Sequence, residues 1–160
     1  MNRPTSRVAP PRPPPPQPPS LGPRLDFLRL LWVLDHSLQR RSKRMAKELG
    51  LTGPQRLVLR IVGRFPGIPA GELASLLSLH PSTLTGILHR LERGGWLTRR
   101  SDPRDGRRIL LGLSARGRAL DRDDPHTIEA ALGRVSDELG REAIDAAGEV
   151  LRALSRTLDA

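Results

Sequence analysis

The run Pro81-Ser82-Thr83-Leu84-Thr85-Gly86-Ile87-Leu88-His89-Arg90-Leu91, then Gly94-Gly95 and Trp96-Leu97-Thr98-Arg99-Arg100, decides the fold of this 160-residue chain. Leu84, Ile87, Leu88 and Leu91 recur at three-to-four spacing and give one apolar face of a helix. Ser82, Thr83, Thr85, Gly86, His89 and Arg90 fall on the outer face, which is small and polar. Upstream, Ile68 to Leu77 reads as a short helix, with Leu79-His80 as a tight turn between the two. Two short helices so joined, the second with a small polar outer face, match a DNA-reading helix-turn-helix.

Downstream, Gly94-Gly95 stops the helix and residues 96–100 read as a strand. Ser101 to Arg107 reads as a turn, with Asp102-Pro103 and Asp105-Gly106 supplying turn chemistry, and residues 108–113 as the returning strand. Arg104, Arg107 and Arg108 cluster at the tip of this hairpin. A basic hairpin directly after a recognition helix is a wing.

Outward from this centre the pattern is helical. Leu25, Leu28, Leu31, Trp32 and Leu38 form a stripe on a long first helix that ends at Gly50. Thr52 is the expected N-cap of a second helix with Pro54 in its first turn and Leu57, Val58, Ile61, Val62 and Phe65 on its buried side. Ser114 caps a helix after the hairpin, and Ser136 or Asp137 is expected to cap the last one. Residues 1–23 hold ten of the sixteen prolines and read as a disordered, polyproline-II-like leader, whose Arg3, Arg7 and Arg12 add nonspecific attraction to phosphate. The expected organisation is a leader at 1–23, a helix at 24–50, a DNA-binding lobe at 51–113 and C-terminal helices at 114–160. The fold class is mainly α with a small β-wing, a winged helix-turn-helix with a helical dimerisation region.

Composition sets the function classes. The formal charge is +10, with 9 basic and 3 acidic groups in residues 89–118 but 5 and 10 in residues 119–160. Such clustering favours a polyanion at the middle of the chain. Cysteine is absent, which removes disulfides and thiolate chemistry. His36, His80, His89 and His126 show no metal-ligand spacing, and neither a phosphate loop nor a nucleophile elbow is present. No catalytic residue, metal or cofactor is therefore assigned. The chain has no apolar run of membrane-spanning length and no secretory signal pattern, which predicts a cytoplasmic protein with no membrane partner.

The stretch Leu88-His89-Arg90-Leu91-Glu92-Arg93-Gly94-Gly95-Trp96-Leu97, the hairpin Arg99-Arg100-Ser101-Asp102-Pro103-Arg104-Asp105-Gly106-Arg107 and the run Leu113-Ser114-Ala115-Arg116-Gly117 resemble the MarR family. The resemblance implies a homodimeric transcriptional regulator whose first and last helices interlock. It also implies a pseudo-palindromic operator, repression and release by a small, often phenolic or other aromatic, effector. Asp123-Asp124-Pro125 departs from that pattern by interrupting a helix that is long in the family, and proline there should kink or restart it.

On this reading double-stranded DNA meets Ser82, Thr83, Thr85, Gly86, His89 and Arg90 in the major groove and Arg99, Arg100, Arg104 and Arg108 at phosphates. Arg107 is expected at the wing tip, in the minor groove. Asp102 and Asp105 structure the wing; the resemblance suggests that Asp105 pairs with an arginine, the alternative being a solvated turn residue. His80 reads as an ordinary surface residue, and Trp96 as packing between wing and helix. Trp32, His36, Leu57 and Ile61 are the candidate effector pocket, with Trp32 as core the competing reading. The rival function is a winged-helix module that binds an acidic protein partner; the small polar face of the recognition helix favours DNA.

Overall fold

The computed structural model describes residues 21–160, so the proline-rich stretch up to residue 20 lies outside it. The elements run α1 (Pro23–Glu48), α2 (Gly53–Arg64), α3 (Ala70–Leu76), α4 (Pro81–Arg93), β1 (Leu97–Asp102), β2 (Asp105–Leu113), α5 (Ala115–Leu120), α6 (Ile128–Leu139) and α7 (Arg141–Leu158). The described chain divides within α1 into two compact units, one ending at Leu34 and one running from Asp35 to Ala160. Among the described residues no helix is long and apolar enough to cross a membrane.

The core lies in the second unit. Leu51, Val58, Leu59, Val62, Leu73, Leu84, Leu88, Leu91, Leu97 and Leu111 interlock there with almost no exposure. α2 starts where the sequence places it, through a capping box. The Thr52 backbone N–H donates to Gln55 Oε1 at 2.8 Å, and the Thr52 hydroxyl oxygen accepts from the Gln55 N–H. The buried side of α2 is rotated from the expected one. Leu57 and Phe65 are more than half exposed, whereas Leu59 and Arg56 are buried. Arg56 finds charged and carbonyl partners inside, and that turns its flank of the helix inward.

α3 is shorter than the sequence suggested, because Gly67 to Pro69 join the sheet. The Gly67 N–H donates to the Leu111 carbonyl at 2.8 Å, the Leu111 N–H donates to that of Ile68 at 3.1 Å, and Pro69 bridges Leu110. These bonds fasten the wing to the start of the helix-turn-helix.

The C-terminal helices also depart from expectation. α5 stops at Leu120, the chain passes Pro125, and α6 restarts behind Thr127, whose side chain accepts the Ala130 N–H. The interruption read from Asp123-Asp124-Pro125 is present. The final break falls at Gly140, in the left-handed region at φ 82°, and not at Ser136 or Asp137. Glycine takes that conformation without the Cβ penalty other residues meet. α6 and α7 bury none of their residues within the chain.

Candidate nucleic-acid interface

α4 is the second helix of a helix-turn-helix. Leu84, Ile87, Leu88 and Leu91 enter the core, and Ser82, Thr83, Thr85, His89 and Arg90 stand exposed on the far side, with Gly86 half-buried beside them. Helical periodicity enforces the split, since the four leucine-class positions occupy one face. Space around Gly86 is open, with no atom within 4 Å of where a Cβ would stand.

His80 has a role that the sequence reading missed. It is the N-cap of α4: the Ser82 N–H donates to His80 Nδ1 at 3.3 Å, and the Ser82 hydroxyl lies 2.7 Å from the same nitrogen. The only sequence signal was its place directly before Pro81 at the first helical position. Thr85 donates its hydroxyl to the Pro81 carbonyl at 2.8 Å, keeping its oxygen lone pairs available outward. Thr83 makes no side-chain hydrogen bond among the described residues, so both functions of its hydroxyl are free.

The wing is tighter at its end than expected. The strands extend to Asp102 and from Asp105, and the connecting turn is Pro103-Arg104. Ser101 pairs with Ile109 but Asp102 pairs with Asp105, so Gly106, Arg107 and Arg108 form a looped-out stretch on the returning strand. Arg107 therefore stands just past the turn, not at its apex; Arg104 occupies the apex. Both are exposed. Asp105 Oδ1 accepts the Arg107 backbone N–H at 3.0 Å, and Asp102 Oδ1 accepts that of Arg104 at 2.9 Å. The expected pairing of Asp105 with an arginine side chain gives way to this backbone bond, because the carboxylate curls onto its own turn.

The arginines expected to act together divide into two groups. Arg99 Nε bonds Glu92 on α4 at 2.8 Å, and an Arg108 Nη bonds Glu72 on α3 at 2.8 Å. Arg100 follows Arg99 in the strand and points to the opposite face. There it lines a cleft with Thr98, Gly67, Arg118 and Asp121. Arg100, Arg104 and Arg107 have no carboxylate partner among the described residues. Trp96 is half-buried, packed against the positions of Gly50 and Gly94 with Arg116 5.3 Å above its ring, as a packing residue should be. Of the candidate pocket, Trp32 belongs to the first unit and is 71% exposed, while His36, Leu57 and Ile61 belong to the second, where Leu57 is 52% exposed.

Comparison with known proteins agrees with this geometry. A transcriptional repressor of Mycobacterium tuberculosis of the helix-turn-helix type is 37% identical over 87 residues, 54% of this chain and 63% of the repressor. The match thus spans less than two thirds of that curated relative. Staphylococcus aureus MepR in a DNA complex superposes with a TM-score of 0.69 at 19% identity, over 82% of this chain and 97% of MepR. PcaV of Streptomyces coelicolor, bound to its natural ligand, gives 0.68 at 24% identity, over 86% and 97%. At these identities the two structures speak for the fold. Residues 51–109 match the MarR family model, and through this winged lobe the chain resembles the MarR family.

Proposed function

We propose that this chain is a sequence-specific DNA-binding transcription regulator that works as a homodimer on a pseudo-palindromic operator. The observation that carries the reading is the face of the lobe just described. A small polar helix face with a Thr83 hydroxyl uncommitted among the described residues lies beside a hairpin whose Arg104 and Arg107 have no carboxylate partner among them. Such a helix suits base edges in the major groove, and unpaired arginines suit phosphates and a narrow minor groove. MepR, a structural neighbour, is itself seen with DNA.

Dimerisation follows from unburied apolar surface. Leu132, Val135, Leu139, Val150, Leu151 and Leu158 are exposed on α6 and α7. In the first unit Leu25, Phe27, Leu28, Leu30, Trp32, Val33 and Leu34 leave the N-terminal part of α1 with much exposed apolar surface. Helices of that kind persist in water only when covered. A second copy covers like with like, as a two-fold interface requires. A small aromatic effector acts, on this reading, by favouring a dimer with a different lobe spacing and so lowering DNA affinity. His36, Leu57 and Ile61 of the second unit remain its proposed contacts.

The test is a titration of a labelled duplex from the region upstream of the gene, beside a scrambled duplex, at several salt concentrations. A clear preference for the native duplex with a steep salt dependence supports the reading. Absence of binding at low salt overturns it and leaves a protein-interaction module in its place.

A further inference from the structure

Between α5 and α6 the chain runs non-helically from Asp121 to Thr127. A break of that kind containing Pro125 has the makings of a hinge between the reading lobe and the C-terminal helices. It is pinned instead. Arg56 on α2, with 1% of its surface exposed, donates through Nη1 to the Leu120 carbonyl and through Nη2 to the Arg122 carbonyl, both at 2.7 Å. Its Nε donates to the carboxylate of Glu129 in the first turn of α6. Arg60, one turn further along α2, donates to the Asp121 carbonyl at 2.9 Å and to the Asp121 and Asp123 carboxylates at 3.1 Å.

The pattern has a helix-end logic. The carbonyls of the last turn of a helix have no partner within it, and the end carries partial negative charge. Two guanidiniums meet the consecutive carbonyls of Leu120, Asp121 and Arg122 there, and the Glu129 bond ties the same group to the start of α6. A guanidinium spreads its donors over three nitrogens in a rigid planar fork that reaches three separate acceptors, whereas an ammonium holds its three donors on a single nitrogen. The linker is held from other sides too. Thr127 is fully buried and donates its hydroxyl to the Asp124 carbonyl at 2.7 Å, and Arg41 of α1 donates to the His126 carbonyl at 3.3 Å. Asp121 lies so close to α2 that a Cβ on Gly63 would stand 2.1 Å from its carboxylate.

We infer that Arg56 and Arg60 are positioning residues that lock this hinge and fix the angle at which α6 carries α4 and the wing. By fixing that angle they make DNA affinity depend on the spacing between half-sites. The DNA part of this inference rests on the function proposed above; the mechanical part does not.

The absence of native cysteine allows labels at Ser101→Cys on the wing and Asp137→Cys on α6, both exposed, in the full-length chain. Pulsed electron paramagnetic resonance on labelled chain diluted with unlabelled chain then reads the lobe-to-α6 distance. The parent should give one narrow distribution, and Arg56→Lys and the milder Arg60→Gln should each broaden it or add a second population. On duplexes whose half-site separation is stepped by single base pairs, both variants should lose about tenfold at the best spacing and far less at the worst. Unchanged distance distributions in both variants overturn the lock, as does an equal loss on every duplex. Should the parent ignore the DNA altogether, the functional reading fails while the distance measurement still decides the hinge.

Discussion

The carboxylate of Asp105 accepts the backbone N–H of Arg107 at 3.0 Å, so an acidic residue fixes the backbone of the cation beside it. If this bond presents Arg107 to the minor groove, Asp105→Ala weakens binding to all duplexes alike, by roughly 1 kcal/mol, the net worth of such a bond. Asp105→Asn, which keeps an accepting oxygen, retains most of the affinity. Fluorescence anisotropy at constant salt separates this from simple electrostatics. Were the carboxylate merely a repulsive charge, Asp105→Ala would bind more tightly than the parent.

Arg107 and Arg99 differ in what they are bound to, and the salt dependence of binding should register it. Arg107 is without a carboxylate partner among the described residues, whereas Arg99 meets Glu92 at 2.8 Å. A cation that neutralises a phosphate contributes close to one unit of slope in log affinity against log salt. Arg107→Ala should lower that slope by about 1, and Arg99→Ala by clearly less. Equal effects from the two substitutions would show that Glu92 surrenders Arg99 to the DNA.

The helix-turn-helix and wing were legible because their apolar residues keep strict helical and strand periods and their turns carry Gly, Pro and Asp. Thr52 was legible as a cap for the same local reason. Arg56 was not, since a stripe of Leu57, Val58, Ile61 and Val62 reads equally well with either flank inward. What turned the helix was a set of carbonyls and a carboxylate more than sixty residues away. The one hint was the acidic Asp121-Arg122-Asp123-Asp124 set against two arginines a helical turn apart. The wing register escaped for a different reason: Asp102-Pro103 and Asp105-Gly106 are both turn signals, and composition does not say which one the chain uses. The pairing of Asp102 with Asp105 puts the turn at Pro103-Arg104.

Ser78, in the turn between α3 and α4, is the only non-glycine residue among those described with a positive φ, at 51°. A side chain there costs about 1–2 kcal/mol in the left-handed region, against which glycine loses roughly 0.5–1 kcal/mol of chain entropy. Ser78→Gly should therefore stabilise the fold by up to about 1 kcal/mol, and a branched residue such as valine should destabilise it by more. Thermal unfolding of the three proteins checks the order. A fall in melting temperature for the glycine variant would mean that the Ser78 side chain supplies something its conformation does not reveal.

Gly117 sits under the Trp96 backbone, where an added Cβ would stand 2.0 Å from the carbonyl oxygen and 3.3 Å from Leu113 Cβ. Backbone cannot swing aside as a side chain can. Gly117→Ala should cost about 2–3 kcal/mol by forcing α5 off the wing, as overpacking of a tight site does. Gly71 has open space at the same position, and Gly71→Ala should cost nothing or gain a few tenths of a kcal/mol in helix propensity. Chemical denaturation of the pair isolates the clash from any general effect of alanine for glycine.

α7 carries Leu151 exposed beside Val150 and Leu158, and no residue of the helix is buried within the chain. If a second copy covers this face, Leu151→Glu buries a charge in the interface, and an unpaired carboxylate there costs several kcal/mol. Sedimentation should then show monomer at concentrations where the parent is dimeric. The lobe keeps its own core of Leu59, Leu73, Leu88 and Leu111, so it should stay folded. DNA binding should fall by about a hundredfold or more on a two-half-site duplex, because the second half-site is no longer engaged as an intramolecular event. On a single half-site the variant and the parent should bind alike. A variant that is monomeric yet keeps full affinity for the two-site duplex would sink the dimer as the working form.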